Sequence, residues 1–305
     1  MKEFQITSAD GLLLQGKHWT SKIPAKAVIQ LSHGMAEHID RYDGFARFLA
    51  DRGYEVYGHS HRGHGKTAKS SEDLGYLAQN GGWDLLVDDL IDITKMIKDN
   101  SPDLPIIILG HSMGSFAARN ALRREAQLYD GAVIMGSGWQ SQVTIRLAQA
   151  VSWVSKLIIG AKKRSKLMDV ILFGSYNDKI VDSTTTFDWL TRDTEMVRKY
   201  IDDPYCGFVC TSSFYSDLIK GVGIVMKRSG LDLIPKDFPI LVASGDDDPV
   251  GGHWKGSKAL YKNYEKNGFS NVSLKLYKDG RHEILNEINR IDVYEDIVKW
   301  VDSII

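Results

Sequence analysis

The chain has 305 residues, 43% of them hydrophobic and 25% charged, enough for one large core or two modest ones and without the composition of a disordered protein. Lys and Arg total 38 against 39 for Asp and Glu, a net charge of −1, so no overall field concentrates nucleic acid or an anionic membrane on the surface. Two cysteines, Cys206 and Cys210, are too few for a disulfide framework and lack a second ligand pair for zinc; with no signal-peptide pattern at the start and no run of ~18 apolar residues, the expected location is the cytoplasm.

In chain order, alternating segments at Glu3–Thr7 and Leu12–Trp19 flank Asp10-Gly11 and predict an opening hairpin. Compact apolar runs then read as buried strands: Ala27–Leu31, Tyr54–Tyr57, Ile106–Leu109, Ala132–Met135, Ile240–Ala243 and Val272–Leu276. Between them, Trp83, Leu86, Val87, Leu90, Ile93 and Ile97 lie on one helical face, and Tyr294, Ile297, Val298, Val301 and Ile305 repeat the pattern at the end. Alternation of this kind predicts an α/β fold, a parallel sheet with helices on both faces. The rhythm breaks between about Trp139 and Lys236, where helical stretches such as Arg146–Ile159 and Asp188–Ile201 replace strands. The expected organisation is a core of residues 1–138 and 236–305 with a helical cap, residues 139–235, over the carboxyl ends of the strands.

The chemistry begins at Ile106-Ile107-Ile108-Leu109-Gly110-His111-Ser112-Met113-Gly114, an apolar strand running into GxSxG and then a small-residue helix. In that context the motif is a nucleophile elbow with Ser112 at its apex. A hydroxyl needs a base, and the base needs an acid to fix its tautomer; both are expected downstream in the order Ser, Asp, His. The strand Ile240–Gly245 ends in Asp246-Asp247-Asp248-Pro249, where three aspartates compete. Asp248 is chosen, because Pro249 stiffens the backbone after it and the offset from Gly245 leaves room to turn inward. His282 follows the last strand and is the expected base. Charge developing on a substrate oxygen calls for two backbone donors, Met113 and, from the Ser32-His33-Gly34-Met35 loop, Met35.

Together His33-Gly34-Met35-Ala36-Glu37-His38 with Arg41-Tyr42, Arg62-Gly63-His64-Gly65, Gly110–Gly114, Asp248-Pro249-Val250 and Gly280-Arg281-His282-Glu283 resemble the monoglyceride lipase and lysophospholipase branch of the α/β-hydrolases over nearly the whole chain. The resemblance implies an eight-stranded core, a helical cap after the sixth strand, no cofactor, and hydrolysis of a single acyl ester by Ser112, Asp248 and His282, with Met35 and Met113 as oxyanion donors. Its small-molecule substrate is expected to meet His33, Gly34 and His111. The chain departs from the branch at Ala36, where many members carry glycine, and at Ser60, where many carry an acidic residue.

In the cap, Leu147, Val151, Val154 and Ile158 share a helical face widened by Ala150, Trp153 and Leu157, with Lys162, Lys163, Arg164 and Lys166 just beyond. Three uses stay open: lining an acyl tunnel, which makes Trp153 and Leu157 substrate contacts; resting on a lipid surface with the basic cluster near head groups; or packing within the domain. Phe187 and Trp189 are expected to pack the cap. Other classes fit less well. His33, His38, His59, His61 and His64 have no clear carboxylate pair for a metal, so no metal site is expected, and Gly65-Lys66-Thr67 lacks the first glycine of a phosphate loop because position 60 is Ser60. A non-catalytic binding protein of this fold would usually lack a triad member, and none is missing here. A short-chain esterase, a thioesterase or a peptidase would use the same residues, and nothing in the sequence sets the oligomeric state.

Overall fold

The computed structural model describes residues 1–181 and 183–305. Its strands are β1 (Lys2–Thr7), β2 (Leu13–Trp19), β3 (Ala27–Ser32), β4 (Tyr54–Ser60), β5 (Ile106–His111), β6 (Gly131–Met135), β7 (Ile240–Gly245) and β8 (Val272–Tyr277). They form one sheet in the order β1-β2-β4-β3-β5-β6-β7-β8, antiparallel at the β1/β2 and β2/β4 pairs and parallel elsewhere. Every residue of β3, β5, β6 and β7 is buried, whereas the edge strands β1 and β8 alternate between exposed and half-buried. Central strands covered on both faces must be apolar throughout, which is why they read in the sequence as continuous runs.

The two-residue period of the strands divides the core between the faces. Ile106, Ile108, Ala132, Ile134, Ile240 and Val242 meet α2 (Gly82–Asn100), α3 (Met113–Glu125) and α8 (Trp254–Lys266). Ile107, Leu109, Val133, Met135, Leu241 and Ala243 meet α1 (Asp43–Ala50) and α9 (Arg290–Asp302) on the other side. This is the α/β-hydrolase architecture.

Between β6 and β7 the chain leaves the sheet for α4 (Gln142–Ile159), α5 (Lys166–Phe173), α6 (Thr194–Asp202) and α7 (Ser212–Val225). The helix expected over Asp188–Ile201 is shorter at its start. The Asp188 carboxylate accepts N–H bonds from Thr184 and Thr185, holding a turn, and Asp193 then caps α6 through the N–H groups of Glu195 and Met196. Such side-chain bonds favour turns and caps over helix interiors.

The helices of this insertion are not alike. In α7, Phe214, Tyr215 and Leu218 join the main core, and Gly221 lies so close under the Trp83 ring that a Cβ would stand 1.9 Å from it. From α3, Arg119 and Arg123 donate to the carbonyls of Gly138, Ile224 and Val225. Both ends of the insertion are thereby fastened to the helix that follows Ser112. By contrast, α4 turns its apolar face outward and buries Ile145, Ser152 and Ser155. Its small side chains allow close approach to α7, where a Cβ on Gly223 would come within 2.9 Å of Ile145.

Candidate active site

The site lies where β3, β5, β7 and β8 end. Ser112 follows β5 directly and has φ +52 and ψ −120, a strained region for any residue but glycine. Its backbone is held from both sides, because Ser112 N–H donates to Met135 O and Ser112 O accepts from Ser115 N–H and Phe116 N–H. The flanking glycines are sterically required: a Cβ on Gly114 would stand 2.1 Å from Ser32 O, and one on Gly110 2.5 Å from Gly114 O.

After β7, Asp248 caps the short turn at Pro249–Gly251, accepting from Val250 N–H at 2.9 Å. Its two oxygens each lie 3.0 Å from His282 Nδ1. A proton on Nδ1 donated to this carboxylate leaves Nε2 with its lone pair, the tautomer a general base needs. Burial alone would raise the Asp248 carboxyl, but the charge and hydrogen bond of His282 outweigh it and hold the group below the usual carboxylate range. The two other aspartates have different partners: Asp246 accepts from Asp279 N–H, and Asp247 faces His253 at the surface. Ser112 and His282 line the same cavity, although no hydrogen bond joins the Ser112 hydroxyl to His282 in this structure. Reacting pairs of this kind commonly close only around substrate.

Met35 and Gly34 also line that cavity. Met113 is the first residue of α3, and neither its N–H nor that of Met35 donates within the chain among the described residues. Gly34 N–H is already engaged by Glu37 Oε1 at 2.6 Å. Ala36, the residue after Met35, has φ +52, a left-handed conformation that favours the glycine many members of the branch carry there.

His111 reaches the cavity wall but its ring is occupied: Nδ1 lies 3.2 Å from Glu37 Oε1 and Nε2 lies 3.2 Å from His282 O. Burial opposes its protonation, but Glu37 outweighs burial and raises its pKa, and the ring ties Glu37 to the backbone of His282. Beneath it, Arg41 bridges Glu37 at 2.6 Å and Glu283 at 2.5 and 2.6 Å, both glutamates being buried and Arg41 nearly so. Glu37 stays ionised against its burial through Arg41 and His111.

Three expected substrate contacts lie elsewhere. His33 is fully buried; its Nε2 accepts from His61 N–H and its Nδ1 donates to Gly34 O, so it supports the loop from behind. Its ring packs on His61 at 4.2 Å and His64 at 5.3 Å, with His59 against His61 at 4.7 Å. Burial pushes the pKa of His59 down to about 3 and that of His64 to about 4. Trp153 and Leu157, on the outer face of α4, are 61% and 64% exposed and do not border the cavity. The reason is the inverted burial of α4, which faces the protein with serines.

The cavity measures 470 Å³ and its cap walls come from Val170 and Phe173 of α5, the Thr186–Leu190 segment, Tyr200, and Gly207–Val209. Phe187 and Trp189 thus face the cavity as well as packing the cap. The Trp189 ring lies 5.2 Å from that of His282, and its carbonyl accepts from His282 N–H while Leu190 O accepts from Glu283 N–H. The position of Trp189 beside His282 escaped sequence reasoning, which put the residue in a helix over Asp188–Ile201, whereas it lies before α6 in a segment folded back onto the His282 loop. Glu287 escaped it as well; fully buried, it accepts from Arg281 N–H, Arg192 N–H and Arg192 Nε and so ties the His282 loop to the cap.

The family model described as serine aminopeptidase, S33 matches residues 23–289. A monoacylglycerol lipase of Mycolicibacterium smegmatis is 27% identical over 304 residues, covering 99% of this chain and 97% of the relative. The human monoglyceride lipase is 26% identical, covering 98% of this chain and 89% of the relative. Among solved structures, a thermostable carboxyl esterase from Bacillus coagulans in complex with glycerol superposes with a TM-score of 0.91 at 25% identity, covering 99% of this chain and 98% of that one. The chain belongs to the serine aminopeptidase S33 family and, within the α/β-hydrolases, to its monoglyceride-lipase-like branch.

Proposed function

We propose that the protein is a serine carboxylic-ester hydrolase acting on monoacylglycerol or lysophospholipid through an acyl-enzyme on Ser112. His282 Nε2 takes the Ser112 proton as the oxygen attacks the ester carbonyl. The N–H groups of Met35 and Met113 meet the oxyanion, and the alcohol departs with the proton held by His282. Water activated by the same imidazole then releases the fatty acid. No cofactor enters this sequence of steps.

The observation that carries the reading is the junction of two surfaces: the buried Asp248–His282 pair and the strained Ser112 open into a 470 Å³ cavity walled by Phe173, Phe187, Trp189 and Phe208. A mostly apolar chamber of that volume suits one acyl chain better than a short ester, which would leave much of the wall unsatisfied. The apolar outer face of the cap supplies a second element. Val143, Leu147, Trp153, Leu157 and Ile158 of α4 and Leu167, Val170 and Ile171 of α5 are exposed, with Lys162, Lys163 and Lys166 nearby. Val170 also borders the cavity, so the exposed patch reaches the cavity wall. Transient contact of this face with a lipid surface would deliver substrate directly. No helix among the described residues is long and apolar enough to cross a membrane. Two free, buried thiols, Cys206 and Cys210, suit a reducing cytoplasm.

The test is hydrolysis by wild type and Ser112→Ala of monoacylglycerols of increasing length, lysophosphatidylcholine, short p-nitrophenyl esters and an aminoacyl p-nitroanilide. Preference for a long-chain monoacylglycerol or lysophospholipid, lost by about 10⁴-fold or more in Ser112→Ala, is expected. Turnover of short esters or the anilide alone would overturn the lipid assignment and favour the esterase or peptidase reading.

A further inference from the structure

The sequence offers no zinc motif, since Cys206 and Cys210 stand alone and the two do not meet. Folding supplies a different grouping. His38, at the end of the oxyanion loop, lies with Nε2 2.8 Å from Asp203 Oδ2, and the Cys206 thiol joins them so that all three donor atoms fall within 4.8 Å of one another. An imidazole, a carboxylate and a sulfur are the ligand types that zinc and its borderline-soft neighbours select. In a tetrahedral zinc site, ligand bonds of roughly 2.0–2.3 Å put the donors some 3–4 Å apart, so small side-chain rotations would close the triangle.

Three further observations favour a cation here. The turn that carries two of the ligands is already fixed: Cys206 N–H donates to Asp203 O, and Tyr205 N–H donates to Asp203 Oδ1. Three carboxylates, Asp203, Glu37 and Glu283, act on Cys206; burial pushes its thiol up, and Arg41, which pairs with both glutamates, is the strongest single charge opposing them. An approach path exists as well, since His38 and Tyr205 border a shallow 40 Å³ surface pocket with Asp40 and Ser60.

We propose that His38, Asp203 and Cys206 form a site for one zinc-class divalent cation, with the fourth position open to water. On binding, the cysteine releases its thiol proton to solvent as the metal–sulfur bond forms. At His38 the neutral imidazole shifts tautomer, its Nε2 proton leaving to solvent and Nδ1 taking one from solvent, so that the ion occupies Nε2 beside Asp203 with no net proton change at the ring. No electrons are exchanged. The site joins core to cap: Gly207 N–H and Tyr200 OH already donate to Ala36 O at 3.0 Å, so the ion would reinforce a seam between the oxyanion loop and the segment after α6. The inference is independent of the substrate, and its readout needs no turnover.

The test is a titration of the purified full-length chain with Co²⁺, followed by near-ultraviolet cobalt–thiolate absorption, and with Zn²⁺, followed by calorimetry and thermal melting. One ion per chain, a thiolate band and a raised melting temperature are expected. Cys206→Ser, nearly isosteric, should abolish the band and weaken zinc by more than about tenfold. His38→Gln should weaken zinc similarly, while Cys210→Ser should leave both signals intact. Absence of the cobalt–thiolate band in the wild type, or its persistence in Cys206→Ser, would overturn the site, as would zinc binding unchanged by either ligand substitution.

Discussion

The carboxyl edge of the sheet and the outer face of α4 treat side chains in opposite ways. At the sheet edge, Glu37, Asp248 and Glu283 are buried charges, and each has a partner within 3.0 Å. On α4, Val143, Leu147, Trp153, Leu157 and Ile158 are apolar and face water, while Ser152 and Ser155 face the protein. Buried charge is expensive unless paired, and exposed apolar surface is unfavourable unless covered. The first region has satisfied its requirement within the chain, and the second has left apolar surface uncovered. A floor of paired charges therefore sits under helices with an exposed apolar exterior.

The largest effect should come from disturbing the floor at Asp248. Asp248→Asn preserves shape but offers His282 the wrong tautomer, and turnover should fall by about 10⁴-fold with little change in melting temperature. Asp246→Asn and Asp247→Asn should stay within severalfold of wild type, since their carboxylates point away from His282. A crippled Asp246→Asn would reassign the acid.

Next in size is Glu37→Gln. It leaves Arg41 with only Glu283 and removes the charge that raises the pKa of His111. Removing one partner from a buried ion pair typically costs about 3–5 kcal/mol, which urea denaturation would register directly. A loss under about 1 kcal/mol would mean that the network is better solvated than its burial indicates.

Acid should attack the same floor through its histidines. His59 and His64 are pushed by burial to about 3 and about 4, while an unfolded imidazole has a pKa of about 6.5. The unfolded chain therefore binds their protons first. The stability these groups contribute is complete above about pH 6.5 and is lost as pH falls, by roughly 3 kcal/mol for each histidine at about pH 4. Denaturation followed at pH 7 and pH 5 should expose the slope, and His59→Phe, which cannot titrate, should flatten it. An unchanged slope in that variant would remove His59 from the account.

The cap's exterior should answer differently. Trp153→Ser with Leu157→Ser removes two exposed side chains, so stability should move by no more than about 0.5 kcal/mol. Vesicle binding should weaken by about tenfold, with hydrolysis of a soluble short ester unchanged. Equal loss on both substrates would bring α4 back toward the cavity.

What the sequence made legible follows the same division. β3, β5 and β7 are buried on both faces, so their apolar runs stand out, and the chemistry attached to their ends could be read off in order. GxSxG is legible because steric demands at Gly110 and Gly114 admit no other residue. On α4 the 3.6-residue apolar stripe was equally clear, yet periodicity identifies a face without saying what covers it, so Trp153 and Leu157 were open between cavity, core and lipid. Pairings across long separations, such as Arg41 with Glu283, Trp189 with His282, or His38 with Asp203 and Cys206, leave no local pattern at all. They come from loops that only the folded sheet brings together.

The smallest predicted effect concerns Ala36, at the seam between the two regions. Its φ of +52 costs an alanine about 1–2 kcal/mol relative to glycine, so Ala36→Gly should relieve strain. Two losses oppose the gain. Glycine gives the unfolded chain more freedom, worth about 0.4–1 kcal/mol, and the buried methyl contributes about 0.8 kcal/mol; Ala36 is only 3% exposed. The terms nearly cancel, and the expected change is under about 1 kcal/mol, a shift of a few degrees at most in melting temperature. Turnover should hold as well, because Ala36 O is fixed by Tyr200 OH and Gly207 N–H whichever residue stands there. A drop of more than about tenfold in turnover with the melting temperature unchanged would show instead that the methyl group stiffens the loop carrying the Met35 donor, and that the chain has exchanged the glycine common in its branch for a more rigid oxyanion hole.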